Sequence, residues 1–149
     1  MKINVFSIAK NDPFEAFYHS YIRQCRGLGI ILELKDLFPS NISKAQKISP
    51  QEAQKSYTQT FLPHLSQHNF ALHPLGRTMD SFKFAQLLSG KHEVCFFIGG
   101  AYGFEEDFLN KTHNISLSPL TFSHQIAKLI LCEQIYRGAS INMGHPYHK

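Results

Sequence analysis

Three short stretches of the chain hold residue types suited to chemistry. Gly99-Gly100-Ala101-Tyr102-Gly103 packs three glycines into five residues, and such a loop lets backbone approach a ligand closely. Its spacing matches neither the dinucleotide fingerprint GxGxxG nor the phosphate loop GxxxxGK[ST], so a ligand loop and a tight strand-to-helix turn are both open readings. Ile115 to Ser123 is uncharged throughout yet includes Ser116, Ser118, Thr121 and Ser123, a composition that suits a snug, neutral pocket. Thr121 or Ser123 would also cap a following helix, which accounts for one hydroxyl but not for the run. The last residues, His145-Pro146-Tyr147-His148-Lys149, are richer in His, Pro and Tyr than a featureless tail and are expected to pack or to act.

Metal chemistry is not expected. A site built on His145 and His148 would need further ligands, and His124, Cys132 and Glu133 offer no recognised spacing. Cys25, Cys95 and Cys132 lie far apart with no CxxC pair, which argues against a disulfide framework or zinc ribbon and for a reducing cytoplasm. Nor is there a serine or cysteine nucleophile in a recognisable catalytic arrangement.

These stretches must be positioned by regular elements. Ile3 to Ala9 reads as a strand buried on both faces. Asn11-Asp12-Pro13 opens a helix along which Phe14, Phe17, Tyr18 and Tyr21 recur at helical steps until Gly27 or Gly29. Ile30 to Leu37 follows as a strand with one wet face, as at a sheet edge. Phe38 to Pro50 is expected to be a mobile polar connection, after which Ser49 caps a helix running to about Leu62. Further on come a strand over Phe70 to Leu72 ended by a Pro74-Leu75-Gly76 turn, and a helix over Ser81 to Leu88. Glu93 to Ile98 has the unbroken apolar core of a central parallel strand. A short helix over Phe104 to Leu109, a strand over Asn114 to Ser118 and a helix over Ser123 to Arg137 complete the series. Apolar residues on the last helix spread over more than one stripe, which fits either core packing or a homodimer seam.

The alternation predicts an α/β fold, a mostly parallel five-stranded sheet with helices on both faces, in one domain spanning 1–149. Ligands of such sheets sit beyond the carboxyl ends of the strands, where the glycine and hydroxyl loops fall. The 149 residues are 43% hydrophobic, with thirteen Phe, which excludes disorder. The formal net charge of +4 permits contact with a polyanion without demanding it. The first apolar run is too short for a signal peptide and no eighteen-residue apolar span occurs, so a soluble cytoplasmic protein without membrane contact is expected.

Phe97-Ile98-Gly99-Gly100-x-x-Gly103, Ile115-Ser116-Leu117-Ser118-x-Leu120-Thr121-x-x-His124, Glu133-Gln134-Ile135-Tyr136-Arg137 and His145-Pro146-Tyr147-His148 together resemble the RlmH family of SPOUT, or α/β-knot, methyltransferases. The resemblance spans the chain in length and element order, with its motifs concentrated after Leu72. It implies a C-terminal trefoil knot, a homodimer, S-adenosylmethionine as methyl donor, and methylation of N3 of a pseudouridine in 23S rRNA, on the large subunit or whole ribosome. Leu72, Gly100, Ser118, Pro119, Leu120, Thr121, Phe122 and Ser123 match the donor-binding positions, and a side chain at Gly100 is expected to fill space the donor needs. Arg137, Tyr147 and His148 match positions facing the nucleotide. The N3 proton must leave, so either a base takes it or positive charge stabilises the anion: His148 is the candidate base, with Arg137 stabilising negative charge and Tyr147 orienting or stacking the uracil ring.

The chain departs from the family where Ala101-Tyr102 replaces a frequent Pro-Glu, where His73 replaces an aspartate, and where Phe122-Ser123-His124 replaces Leu-Pro-His. An altered pocket wall is expected there. Arg23 to Lys55 holds six Lys and Arg against three acids, a thinner basic region than the family's. The competing reading is a non-enzymatic α/β module that binds ribosomes or a nucleotide.

Overall fold

The computed structural model describes residues 1–149. Five strands, β1 (Lys2–Ser7), β2 (Ile31–Asp36), β3 (Asn69–Thr78), β4 (Glu93–Ile98) and β5 (His113–Ser116), form one sheet in the order β2-β1-β4-β3-β5. All four pairings are parallel. The helices are α1 (Glu15–Gly27), α2 (Ser40–Gln46), α3 (Pro50–Phe61), α4 (Ser81–Leu88), α5 (Glu106–Leu109) and α6 (His124–Asn142), with a single 3₁₀ turn at Leu62–His64. No helix is long and apolar enough to cross a membrane.

The central strands β1 and β4 sort their side chains by strict alternation. Ile3, Val5, Val94, Phe96 and Ile98 point to one face, where Cys25 of α1, Phe84 and Leu88 of α4, and Leu131 and Ile135 of α6 pack on them. Phe6, Ile8, Cys95 and Phe97 point to the other, covered by Ile42 of α2, Tyr57 and Phe61 of α3, and Phe108 of α5. The helices therefore lie on both faces, and β2 is the edge strand that its wet residues predict.

Several boundaries differ from the sequence reading. The connection expected to be mobile contains α2, because Ile42 is fully buried in the second core and Gln46 ties the helix to Tyr57. The third strand is longer than expected. Ile115 pairs first with Leu72 and again with Arg77, so residues 73–76 bulge out and the strand resumes to Thr78. At Gly76 an added Cβ would lie 2.7 Å from the β5 backbone, which makes glycine a condition of that return. The expected strand to Ser118 ends at Ser116, and the short helix begins at Glu106 instead of Phe104. The last helix continues through Gly138 to Asn142, because there the small residue admits Phe84 and Leu88 of α4.

Candidate active site

Where β4 and β5 reach their carboxyl ends, the loops beyond them and the bulge within β3 form a cleft of about 410 Å³. Its wall includes Leu72, Gly100, Ser118, Leu120, Thr121, Phe122 and Ser123, seven of the eight positions singled out from the sequence. Pro119 belongs to the same loop but not to the wall. The lining adds His73 and Pro74 from the β3 bulge, Ile98 and Phe104 beside the glycines, and His124 and Ala127 from the first turn of α6. It contains no Asp, Glu, Lys or Arg.

The glycine loop is shaped by local hydrogen bonding and by a buttress behind it. Gly103 N–H donates to Gly100 O at 3.0 Å, and Gly103 takes φ +69°, a left-handed conformation that favours glycine. A Cβ on Gly100 would stand 2.7 Å from Tyr57 Cζ and 3.0 Å from Ile8 Cγ2. This corrects the expected reason for that glycine: the missing side chain makes room for the core behind the loop, not for a ligand in front of it. Tyr57 is fully buried and accepts a 2.7 Å bond from Gln46 Nε2 on its hydroxyl, and Gln54 Nε2 donates to Tyr102 O at 2.7 Å. Helices α2 and α3 thus hold the loop from its core side.

The hydroxyls of the second loop serve mostly to fold it. Ser116 Oγ donates to Ser118 O at 2.8 Å, Leu120 N–H donates to Ser118 Oγ at 3.0 Å, and Ile126 N–H donates to Ser123 Oγ at 3.4 Å as the cap of α6. The first turn of this nineteen-residue helix faces the cleft, and its free N–H groups leave a partial positive charge there.

One turn further along, Lys128 is buried at 3% exposure, with Nζ 2.8 Å from Asp36 Oδ1 and 3.2 Å from Asp12 Oδ2. Its ammonium also lies 4.5 Å over the Tyr18 ring, whose hydroxyl donates to Asp12 at 2.7 Å. Burial alone would raise the Asp12 pKa, but bonds from Phe14 N–H, the Tyr18 hydroxyl and Lys128 outweigh it and hold it low. This network ties the cleft end of α6 to the start of α1 and the end of β2. It escaped the sequence reading because its three charges stand far apart along the chain and no spacing rule links them.

The tail folds back along α6. Glu133 Oε1 accepts from Arg137 Nη2 at 2.7 Å, from Arg137 Nε at 3.0 Å and from the Tyr147 hydroxyl at 3.1 Å. Arg137 stacks 4.8 Å over the Tyr147 ring and donates through Nη1 to His148 Nδ1 at 3.2 Å. The His148 ring meets the edge of Phe82 at 4.8 Å. Arg137, Tyr147 and His148 are therefore brought together, with Glu133 as the hub. Arginine only donates, so His148 Nδ1 accepts and the neutral ring carries its proton on Nε2. Glu133 raises the Arg137 pKa, and burial together with Glu133 raises that of Tyr147. No three His, Cys, Asp or Glu side chains are placed to hold a metal ion.

Comparison with known proteins decides the family. The family model described as "Predicted SPOUT methyltransferase" matches residues 1–148. This chain is a SPOUT methyltransferase. It is 50% identical over 153 residues to the ribosomal RNA large subunit methyltransferase H of Helicobacter hepaticus, and 52% identical over 151 residues to that of Helicobacter pylori, with all of each chain covered. The structure of a probable methylase family protein from Haemophilus influenzae shares the fold, with a TM-score of 0.54 and 12% identity over 99% of this chain and 70% of that one.

In this SPOUT methyltransferase the cleft and the tail cluster occupy different stretches of α6. Arg137 is ten residues beyond Ala127, roughly 15 Å of helix rise. The structure places seven of the eight proposed donor-binding residues in one wall and Arg137, Tyr147 and His148 in one cluster, whereas the sequence reading missed Glu133 as the tail's hub and His124 as cleft wall. Both had appeared in the motifs it quoted. Ala127 gave no signal at all, because a small residue on a helix reads the same in a core and at a pocket.

Proposed function

We propose that residues 1–149 act as one methyltransferase domain that transfers a methyl group from S-adenosylmethionine to N3 of a pseudouridine in 23S rRNA, on assembled ribosomes in the cytoplasm. The observation that carries this reading is the cleft at the strand ends, lined by glycine backbone and neutral side chains, in a chain half identical to named ribosomal RNA large subunit methyltransferases. About 410 Å³ falls within the range that encloses a drug-sized molecule. Backbone groups of the glycine loop and of Ser118 to Ser123, with Leu72 beside them, would hold the donor in that wall. When bound, S-adenosylmethionine supplies an electrophilic methyl on a sulfonium.

The rest is positioning and proton handling by the tail. Tyr147 stacks or orients the uracil, and Arg137 stabilises the anion left when the N3 proton departs. His148, with Nδ1 engaged by Arg137, offers an Nε2–H to a carbonyl oxygen; it becomes a base for the N3 proton once Arg137 turns to the substrate. A rate that rises with pH through the imidazole range and then flattens supports His148 as base. A log-linear rise persisting above about pH 8 assigns the work to Arg137 alone.

Separation of cleft and tail along α6 supports a homodimer in which one copy's tail meets its partner's cleft. Leu131, Ile135 and Ala139 are consumed by the core, whereas Ile126 is exposed and Leu129 and Ile130 are half-buried, a stripe left for a second copy. Ile130→Asp should then yield a monomer in sedimentation, and an intact dimer would remove Ile130 from the interface. The family implies a C-terminal knot through these same loops. Mass spectrometry of rRNA from a deletion strain tests the whole reading, the expected result being loss of one methyl at a single pseudouridine. A folded protein with no affinity for the donor or its product would favour the non-enzymatic module instead.

A further inference from the structure

One aromatic side chain on α4 stands where the core has no use for it. The helix buries Phe84, Ala85 and Leu88, and Phe82 lies off that face with 56% of its surface exposed. What it touches is the tail: its ring meets the His148 ring at 4.8 Å between centroids and 88° between planes. A perpendicular contact covers at most one face of Phe82, so the ring stays open to a flat partner. The turn that carries it is fixed by Asp80 Oδ1, which accepts the Lys83 N–H at 2.8 Å, and by Ser81 Oγ, which donates to Gln134 Oε1 of α6 at 3.2 Å.

Phe82 ends a row that the tail begins. Tyr147 stacks with Arg137, Arg137 bonds His148 and His148 meets Phe82, so two aromatic rings, a guanidinium and an imidazole adjoin one another. The two ends of the row, Tyr147 and Phe82, are its exposed members. Arg77 and Lys83 flank Phe82 in the chain, are exposed, and take no part in an ion pair. The one acid between them, Asp80, is spent on capping α4. Open rings with unpaired cations on the same segment are what a single strand of nucleic acid needs, since bases stack on the rings and phosphates meet the cations.

Given that the tail acts on a pseudouridine in rRNA, we propose that Phe82 stacks the base of a nucleotide adjoining the target in an unpaired stretch of the strand. Tyr147 takes the target uracil at one end of the row, and Phe82 takes a neighbouring base at the other. Every base has a face that can stack, so Phe82 contributes affinity for the ribosome and little choice of sequence. It touches the substrate and takes no part in moving the N3 proton.

Methyl transfer by the full-length protein to ribosomes from a deletion strain, measured over a range of ribosome concentrations, tests this. Phe82→Ala should raise KM for ribosomes by at least about fivefold while kcat stays within about twofold and donor Kd is unchanged. Phe82→Leu should behave like the alanine variant, because it keeps apolar bulk without a π face, and Phe82→Trp should restore the normal KM. The position is exposed, so all three should fold, which equal melting temperatures would verify. A normal KM in Phe82→Ala or Phe82→Leu overturns the proposal. So does a loss confined to kcat with a displaced pH profile, which would make Phe82 a support for His148, and so does a monomer in sedimentation, which would place Phe82 between two copies. An unmodified protein that transfers no methyl to these ribosomes overturns the rRNA reading itself, a result distinct from activity that is indifferent to Phe82.

Discussion

The cleft and the tail cluster rest on one helix and are built by opposite means. The cleft is made of backbone and neutral side chains, and what shapes it is packing from behind: Tyr57 and Ile8 beneath Gly100, and serines spent on their own loop. The tail is made of charge and hydrogen bonds on a segment most of whose residues are exposed, with a single carboxylate oxygen serving Arg137 and Tyr147. A neutral wall suits recognition of shape, while a half-buried charged cluster suits a step in which a proton and negative charge must be managed. Binding and chemistry should therefore respond to different substitutions.

The largest expected effect is removal of His145 to Lys149, which should lower methylation by at least about a hundredfold through lost positioning while leaving donor Kd within a few-fold. Equal loss of both in calorimetry and methyl-transfer assays would break the comparison. Next, Gly100→Val should abolish measurable donor binding and lower the melting temperature, since its Cβ branch meets Tyr57 and Ile8; a folded variant with normal affinity would refute the buttress. Glu133→Gln should slow turnover by on the order of tenfold, because it exchanges a charge-assisted acceptor for a neutral one, with donor affinity unchanged. The smallest effect concerns acid. The Asp12 pKa is lowered in the folded state, so its contribution to stability is complete above the ordinary carboxylate value near about 3.9 and fades as pH falls through the lower folded value. Melting temperature should be level from neutrality to about pH 4 and drop below it, and in Lys128→Met the drop should be shallower, because loss of the cation moves the folded pKa of Asp12 back toward its unfolded value.

The parallel sheet was legible because buried strands announce themselves: Val94-Cys95-Phe96-Phe97-Ile98 has no other reading. Alternation of elements then located the cleft without any motif. What was not legible depended on single long-range contacts. Ile42 looked like one apolar residue in a polar loop until the second core claimed it, and the return of β3 after Gly76 rests on a close backbone approach that composition does not encode. Arg137, Tyr147 and His148 could be named by resemblance, but their shared acceptor Glu133 is a property of the tail's fold-back path. Helix α6 outran its expected end because a glycine inside a helix is read as a stop unless its neighbour is known.

The buried Lys128 also bears on the order in which the molecule is made. Its carboxylate partners precede it by 92 and 116 residues. During synthesis Asp36 and Asp12 leave the ribosome long before their cation exists, and the wall formed by Ser123, His124 and Ala127 is translated after every strand. A nascent chain that has completed β5 thus has its sheet but neither its charge clamp nor its cleft. Docking of α6 should be the slow, final event of folding, as expected where contacts of high sequence separation close the structure. A protein proposed to methylate ribosomal RNA would then complete its cleft only when its last helix docks.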